Sequence, residues 1–516
     1  MGNSYLCSYK YWKIILKKDK MKNRKINYFR NTLLLGLVLI TSLNCEREMS
    51  DDATLATYPK TAEIFTDAPV GMGTNFYFPY GPGPDNPIGS KFNAWTVDDN
   101  VSYKGNASMR FDVPNGDDTN GNYAGGIFRV DGAGRDLTGY DALTFWAKAS
   151  QNVSINEIGF GEDFNTYSGN KYITNIRNVS LTTNWVKYII PIPDASKLVQ
   201  ERGMLRYAAG GTGPDKKGYT FWIDELKFEK LGTIGQPRPS IATPATDTID
   251  TFIGVTIPNK DLREIFNMPS GQDQIVYPAP AYFIFKSSNP STATVDQNGK
   301  ITVVGTGTAV ITANIGSVLD TTTNEYIGGI NSIDSITINS LGTFSLPPTP
   351  TTDPSKVLSI FSDSYTNVPV AYYNGFWFPG QSTTSADFSV NGNNFLYYKT
   401  FNYVGIATSN SNIPPLNATN MTKVHFDLYI PNSVPSNFSF LVSIEDWGPN
   451  QIDNGGDDTR QQIFVTASQV QANSWISIDV PFTLVNKNNI GLIIMENING
   501  SSLSDFYMDN IYFYKP

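Results

Sequence analysis

Five aromatic rings and one proline crowd the nine residues Tyr372-Tyr373-Asn374-Gly375-Phe376-Trp377-Phe378-Pro379-Gly380. They do not alternate as a strand would, and Asn and Gly interrupt them. Some of these rings are expected to face solvent, which a soluble domain seldom tolerates without a ligand. An aromatic face stacks on the C–H face of a pyranose, while amides, carboxylates and guanidiniums take its rim of hydroxyls. On that chemistry Trp377 is the first candidate platform, with Tyr373 and Phe376 beside it. Trp447, next to Glu445 and Asp446, is the second. A counterpart run, Asn75-Phe76-Tyr77-Phe78-Pro79-Tyr80, lies far upstream, and there the candidates are Tyr77, Trp95, Glu162 and Asp163, then Phe164. Arg129 and Arg135 could donate to hydroxyls or serve a plain surface role. Any one of these rings could equally be core packing; Trp185 and Trp475 are expected in the core.

A second chemistry is suggested by two strand-like runs. Phe221-Trp222-Ile223-Asp224 and Phe506-Tyr507-Met508-Asp509 each place an Asp after three apolar residues, where a carboxylate is awkward unless something binds it. Calcium takes several carboxylate and carbonyl oxygens. If the first and last strands pair, Asp67 would meet Asp224 and Asp363 would meet Asp509. The loop Asp453-Asn454-Gly455-Gly456-Asp457-Asp458 lacks the EF-hand spacing and reads as solvated. Catalysis finds little support. A glycosidase needs two positioned carboxylates, but no E-x-D-x-x-E alternation occurs. There is no G-x-S-x-G, and the single histidine, His425, sits in a strand pattern. No enzyme is expected.

The elements that must carry these residues form a repeat. Ile64-Phe65-Thr66-Asp67 matches Ile360-Phe361-Ser362-Asp363, and the runs at 105–111, 123–127, 143–146, 158–164 and 184–191 match those at 392–397, 401–406, 424–429, 442–447 and 474–481. Ordered matches with period-two alternation indicate two homologous β-modules. The chain has 516 residues, 40% apolar and only 16% charged, and is all-β in composition. Its net charge of −9 argues against a nucleic-acid partner. Both cysteines, Cys7 and Cys45, fall near the start, so no disulfide or thiol metal site is expected beyond it.

The expected organisation is a signal peptide over 1–45 with Met21 as the true start, and an acidic linker over 46–57. A β-sandwich (58–232), an Ig-like domain (233–345), a Pro/Thr linker (346–355) and a second β-sandwich (356–516) follow. Basic residues after Met21 and the apolar run Thr32 to Leu43, too short to span a bilayer comfortably, suit a signal segment. Gly232 to Pro244 reads as a linker, and Pro258 to Pro280 as an irregular insertion.

Several stretches resemble known families. Ser42-Leu43-Asn44-Cys45 resembles a bacterial lipoprotein signal, which implies lipidation of Cys45 and an outer-membrane anchor. The acids Glu46, Glu48, Asp51 and Asp52 resemble the surface-export tract of Bacteroidetes lipoproteins. Phe285 to Ala313, with its Asn298-Gly299 turn, resembles the bacterial Ig-like domain of group 2, usually a spacer. Ser359-Ile360-Phe361-Ser362-Asp363, Gly392-Asn393-Asn394 and Asp509-Asn510-Ile511 resemble the carbohydrate-binding sandwiches appended to laminarinases. They are also similar to surface glycan-binding lipoproteins encoded beside starch-utilisation-type importers. The resemblance implies two jelly-roll sandwiches flanking an Ig-like sandwich and often a structural Ca2+. It further implies capture of a β-glucan, with laminarin-like β-1,3-glucan favoured, for polysaccharide utilisation with an importer and surface glycosidases. The alternatives are another glycan such as xyloglucan, or a structural or adhesive surface protein.

Overall fold

A computed structural model describes residues 57–516 except 85, 165–170, 243–245, 260–261, 324 and 378. The signal segment, Cys45 and the acidic tract lie outside the described residues. From Tyr58 to Pro516 the chain forms one compact unit, built of strands with a few short 3-10 turns.

In the first module one sheet runs in the order Trp95–Asp98, Ser108–Val113, Tyr219–Glu229, Ala142–Ala149, Val186–Pro191, with Glu63–Phe65 pairing the long third strand. The facing sheet contains Tyr77–Pro79, Tyr123–Arg129, Gly203–Gly210, Val153–Phe160 and Thr174–Leu181. Alternation along each strand sends one set of side chains between the sheets. Phe111, Phe128, Phe145, Phe160, Tyr207 and Phe221 meet there, fully buried.

The second module repeats this connectivity, without a counterpart of the strand Tyr77–Pro79. Thr384–Val390, Asn393–Lys399, Phe506–Tyr514, Lys423–Tyr429 and Trp475–Pro481 make one sheet, with Val357–Phe361 pairing the closing strand. Tyr403–Ala407, Ile490–Asn497, Ser439–Asp446 and Thr459–Thr466 make the other. The fold is all-β, with two jelly-roll sandwiches flanking an Ig-like sandwich.

Between them, Thr246–Ile253 lies parallel to Ser335–Thr343, which pairs Gly307–Ile315 and then Phe283–Ser287. Thr256–Ile257, Ile301–Val303 and Ala293–Val295 form a small second sheet. Two expectations are corrected here. The insertion is a regular hairpin, Arg263–Asn267 with Asp273–Pro278, and the supposed linker contains the strand Gly235–Ser240 paired to it. The hairpin adds to the first module's sheet through Tyr277↔Asn175 and Pro278↔Thr174. Its strands alternate over five or six residues, too short to stand out among prolines in the sequence.

The other end of the Ig-like domain is glued to the second module. Phe344 and Val255 pack with Val390, Phe395, Tyr429 and Tyr507 in one buried cluster. Trp475, expected in a sandwich core, lies instead at this seam. It is half-buried near Phe344, and its Nε1 donates to the Ser345 carbonyl at 2.6 Å. Trp185, also expected in the core, sits half-buried on the outer face of the first module near Tyr103.

Candidate functional site

Alternation also decides what the facing sheets show to solvent. In Tyr123–Arg129, Ala124 and Phe128 join the core, so Tyr123, Gly125, Ile127 and Arg129 take the other face, where Ile127 is itself covered from solvent. A Cβ on Gly125 would come within 2.7 Å of the Tyr123 ring and 3.0 Å of the Tyr80 ring. The glycine therefore lets two tyrosines lie against the strand. The second module builds the same feature from different rings. Val404 and Ile406 join its core, so Tyr403 and Gly405 face outward, and the Trp377 indole occupies the place a Cβ on Gly405 would take. Trp377 and Tyr403 stack with centroids 6.2 Å apart at 29°. In both modules, then, the aromatic loop lays a ring on a strand glycine of the concave sheet.

Polar groups surround these rings. In the first module Arg206 donates to Glu157 Oε1 at 2.7 Å and to Glu162 Oε2 at 2.5 Å. The Tyr80 hydroxyl donates to the same Glu162 oxygen at 2.7 Å, and burial pushes its phenol pKa well up. Arg129 donates to Asp163 at 2.8 Å while its guanidinium stands 4.7 Å over Phe78. Arg177 covers the ring of Tyr277 at 4.0 Å, so the inserted hairpin extends this face. An open groove of about 680 Å³ passes Tyr123, Glu157, Arg177 and Gly210. In the second module Glu445 pairs with Arg460, and Ser443 donates to Glu496 at 3.3 Å. Phe464 stands on the edge strand, 57% exposed. Charge-assisted pairs of this kind fix side chains whose remaining donors and lone pairs can meet hydroxyls.

Of the candidates, Trp377, Glu445 and Glu162 reach these faces. Phe376 is half-exposed in the same loop, at a left-handed φ of 49°. Several others are corrected. Tyr77 turns inward, sharing a 3.1 Å hydrogen bond with core Tyr207; a shift of one residue puts Phe78 outside instead. Trp95 packs on Phe76, Tyr77 and Phe128 at the core edge. Asp163 is buried, its oxygens taken by Arg129 and by Arg202 at 3.2 Å. Asp446 is wholly buried, accepting from Gly448 N and Asn489 N. Tyr373 packs on Phe361, and its hydroxyl donates to the Ile360 carbonyl at 2.9 Å, away from Trp377's sheet. Trp447 fills the space beside Gly491 and lines a separate recess with Asn410, Asn412, Pro415 and Gln451. Arg135 is buried, donating to the carbonyls of Thr61, Glu63 and Val70. Sequence reading passed over Arg206, Glu157, Arg177, Tyr277, Arg460 and Glu496. Their outward positions on the concave sheets were the available signal.

The acids behave differently in the two modules. The first and last strands do pair. A bulge follows each closing-strand acid, with Glu225 and Asn510 left-handed at φ 49° and 50°. Asp224, buried, accepts from Tyr103 N and Lys104 N at 2.7 and 3.0 Å and from Glu225 N at 2.7 Å. Asp67 is exposed and accepts from Asn106 N and Ala107 N at 2.5 and 2.9 Å. Backbone donors thus satisfy both, and the pair fits a loop clamp better than an ion. Asp363, exposed, takes Asn394 N at 2.5 Å. Asp509 is buried, and burial, then the charges of Asp363 and Asp427, push its pKa up to about 7. Asp509 also accepts from Asn510 N at 2.6 Å. Among the described residues no three acids or histidines converge as a metal cluster would, so calcium would draw on backbone carbonyls as well.

Two sheet faces, each carrying rings and fixed polar groups, are the surfaces this pair of β-sandwiches offers to a ligand. Residues 72–230 match the family model described as carbohydrate binding domain 30, and residues 280–317 match the intimin immunoglobulin-like domain. Comparison with curated proteins finds no match. Among solved structures, a family 30 carbohydrate-binding module of a cellulosomal cellulase of Clostridium thermocellum is 14% identical, covering 34% of this chain and 95% of that one, with a TM-score of 0.22. A family 11 module from the same organism, in complex with a β-1,3-1,4-mixed-linked tetrasaccharide, is 21% identical over 31% of this chain and 94% of that one, TM-score 0.22. A tandem pair of family 22 modules from Paenibacillus barcinonensis is 9% identical over 90% and 99%, TM-score 0.21. The family matches support a β-sandwich glycan-binding protein, and the matched carbohydrate-binding family is non-catalytic.

Proposed function

We propose that the chain is a non-catalytic polysaccharide-binding protein whose two concave faces capture a β-glucan. The observation that carries this reading is the ring laid on a strand glycine in both modules, Tyr80 and Tyr123 at Gly125 and Trp377 at Gly405. Rings against a sheet give a flat apolar floor for sugar faces, and Arg206, Glu157, Glu445 and Arg460 supply the hydroxyl-binding rim. Laminarin-like β-1,3-glucan is favoured on the resemblance of the second module; xyloglucan is the second choice. A lipid on Cys45, a place on the outer membrane facing outward, and hand-over to surface glycosidases and an importer complete the proposal. They rest on the signal-like segment and the acidic tract. A structural Ca2+ at Asp363 and Asp509 belongs to it too.

Affinity electrophoresis in laminarin, mixed-linkage glucan and xyloglucan tests the reading. Retardation in a β-glucan, reduced in Trp377→Ala and in Arg206→Ala variants that keep the parent's melting temperature, supports it. Free migration in all three gels sinks the β-glucan assignment. For the metal, chelation should lower the melting temperature of the parent and leave that of Asp509→Asn unchanged; equal melting with and without chelator would remove calcium from the proposal.

A further inference from the structure

The sheet face opposite the concave one is used differently in the two modules. In the second, Tyr397, Tyr429, Tyr507 and Trp475 sit on that face, and the Ig-like domain seals it with Phe344. The strand register of the repeat places Arg110, Lys148, Trp222 and Trp185 at the matching positions of the first. There the aromatic ring laid over the sheet is Tyr103. It stacks on Trp146 with centroids 3.9 Å apart at 12° and is itself 41% exposed.

We propose that this outer face is a second carbohydrate site, distinct from the concave one, and that it takes a pyranose bearing a negative charge, a uronate carboxylate or a sulfate ester. Tyr103, raised on Trp146, offers a level ring as a floor. Trp185 stands at 61° to it with its centroid 6.0 Å away, making a wall. A sugar resting on the floor and against the wall would bury its C–H face on one ring and its edge on the other. The charge requirement comes from Lys148. Its Nζ lies 6.0 Å from the Trp185 ring and 5.8 Å from the Trp222 ring. The carboxylates around it are engaged elsewhere: Asp98 and Asp112 by Arg110, Glu225 by Lys104 and Lys227, Glu229 by Lys187 and Lys227. Among the described residues Lys148 has no carboxylate partner. An ammonium on an aromatic floor with no counter-charge is complementary to an anion. This inference stands independently of what the concave faces bind.

The test is calorimetric titration of the full chain with an oligogalacturonate, a sulfated galactan oligosaccharide and a neutral galacto-oligosaccharide, at low and high ionic strength. One anionic sugar should bind more tightly than the neutral one, with the preference shrinking at high salt. Tyr103→Ala and Trp185→Ala should each weaken binding about tenfold. Lys148→Gln should abolish the preference for charge. Melting temperatures and the retention of binding by Tyr103→Phe separate a lost platform from a lost fold. Equal binding by parent and by a folded Tyr103→Ala, or no binding of either anionic sugar by the parent, overturns the proposal.

Discussion

Single side chains make the sharpest demands on this molecule. Trp377 lies over Gly405, so a side chain at that glycine must displace the indole. Gly405→Val should therefore lower glycan affinity about as much as Trp377→Ala, on the order of tenfold, with little change in melting temperature. Titration of both variants with one β-glucan oligosaccharide checks this. Glu264 makes a different demand. It is fully buried, and neither carboxylate oxygen is hydrogen-bonded. Burial first, then the charge of Asp194, push its pKa from 4.5 up to about 8. The folded chain keeps this proton after the unfolded chain has lost it. The stabilisation is complete below about pH 4.5 and is lost as pH rises through about 8. Glu264→Gln should flatten that fall, measured as melting temperature against pH from mildly acidic to mildly basic.

At the scale of elements, the seam between the Ig-like domain and the second module hangs on Phe344, which touches Phe388, Phe395, Tyr429, Trp475 and Tyr507. Phe344→Ala should cost about 3 kcal/mol and split one calorimetric transition into two. A single unsplit transition would mean that the coupling of the domains does not depend on Phe344. The repeat, the all-β class and the sandwich strands were legible because half-buried strands print a period-two pattern twice over. The hairpin 263–278 was not, because its partner strand lies in another module and no local pattern announces a long-range pairing. Facing was legible only in part. The aromatic loops stood out by composition, but whether Tyr77 or Phe78 faces out depends on register, which a three-residue strand hardly specifies. Trp475 looked like core because it recurs at Trp185's position; burial against a neighbouring domain leaves the same trace as burial inside one.

On the scale of the whole molecule, two faces proposed to hold sugar on one compact body would give avidity. A polysaccharide long enough to reach both should bind roughly 100-fold more tightly than an oligosaccharide that fills one. Trp377→Ala should remove most of that advantage while weakening the short sugar at only one of its two sites; comparing the two ligands by calorimetry checks it. On the proposed function, with a polymer captured at one end and a lipid anchor at the other, the chain would also be pulled. The Ig-like domain enters along Thr246–Ile253 and leaves along Ser335–Thr343, two strands that run parallel and side by side. Tension applied at the domain's two ends then slides these strands past each other, loading their hydrogen bonds together in shear instead of peeling them one at a time. The middle of the chain is thereby a mechanical clamp, suited to stay folded while a captured polymer drags on its far end.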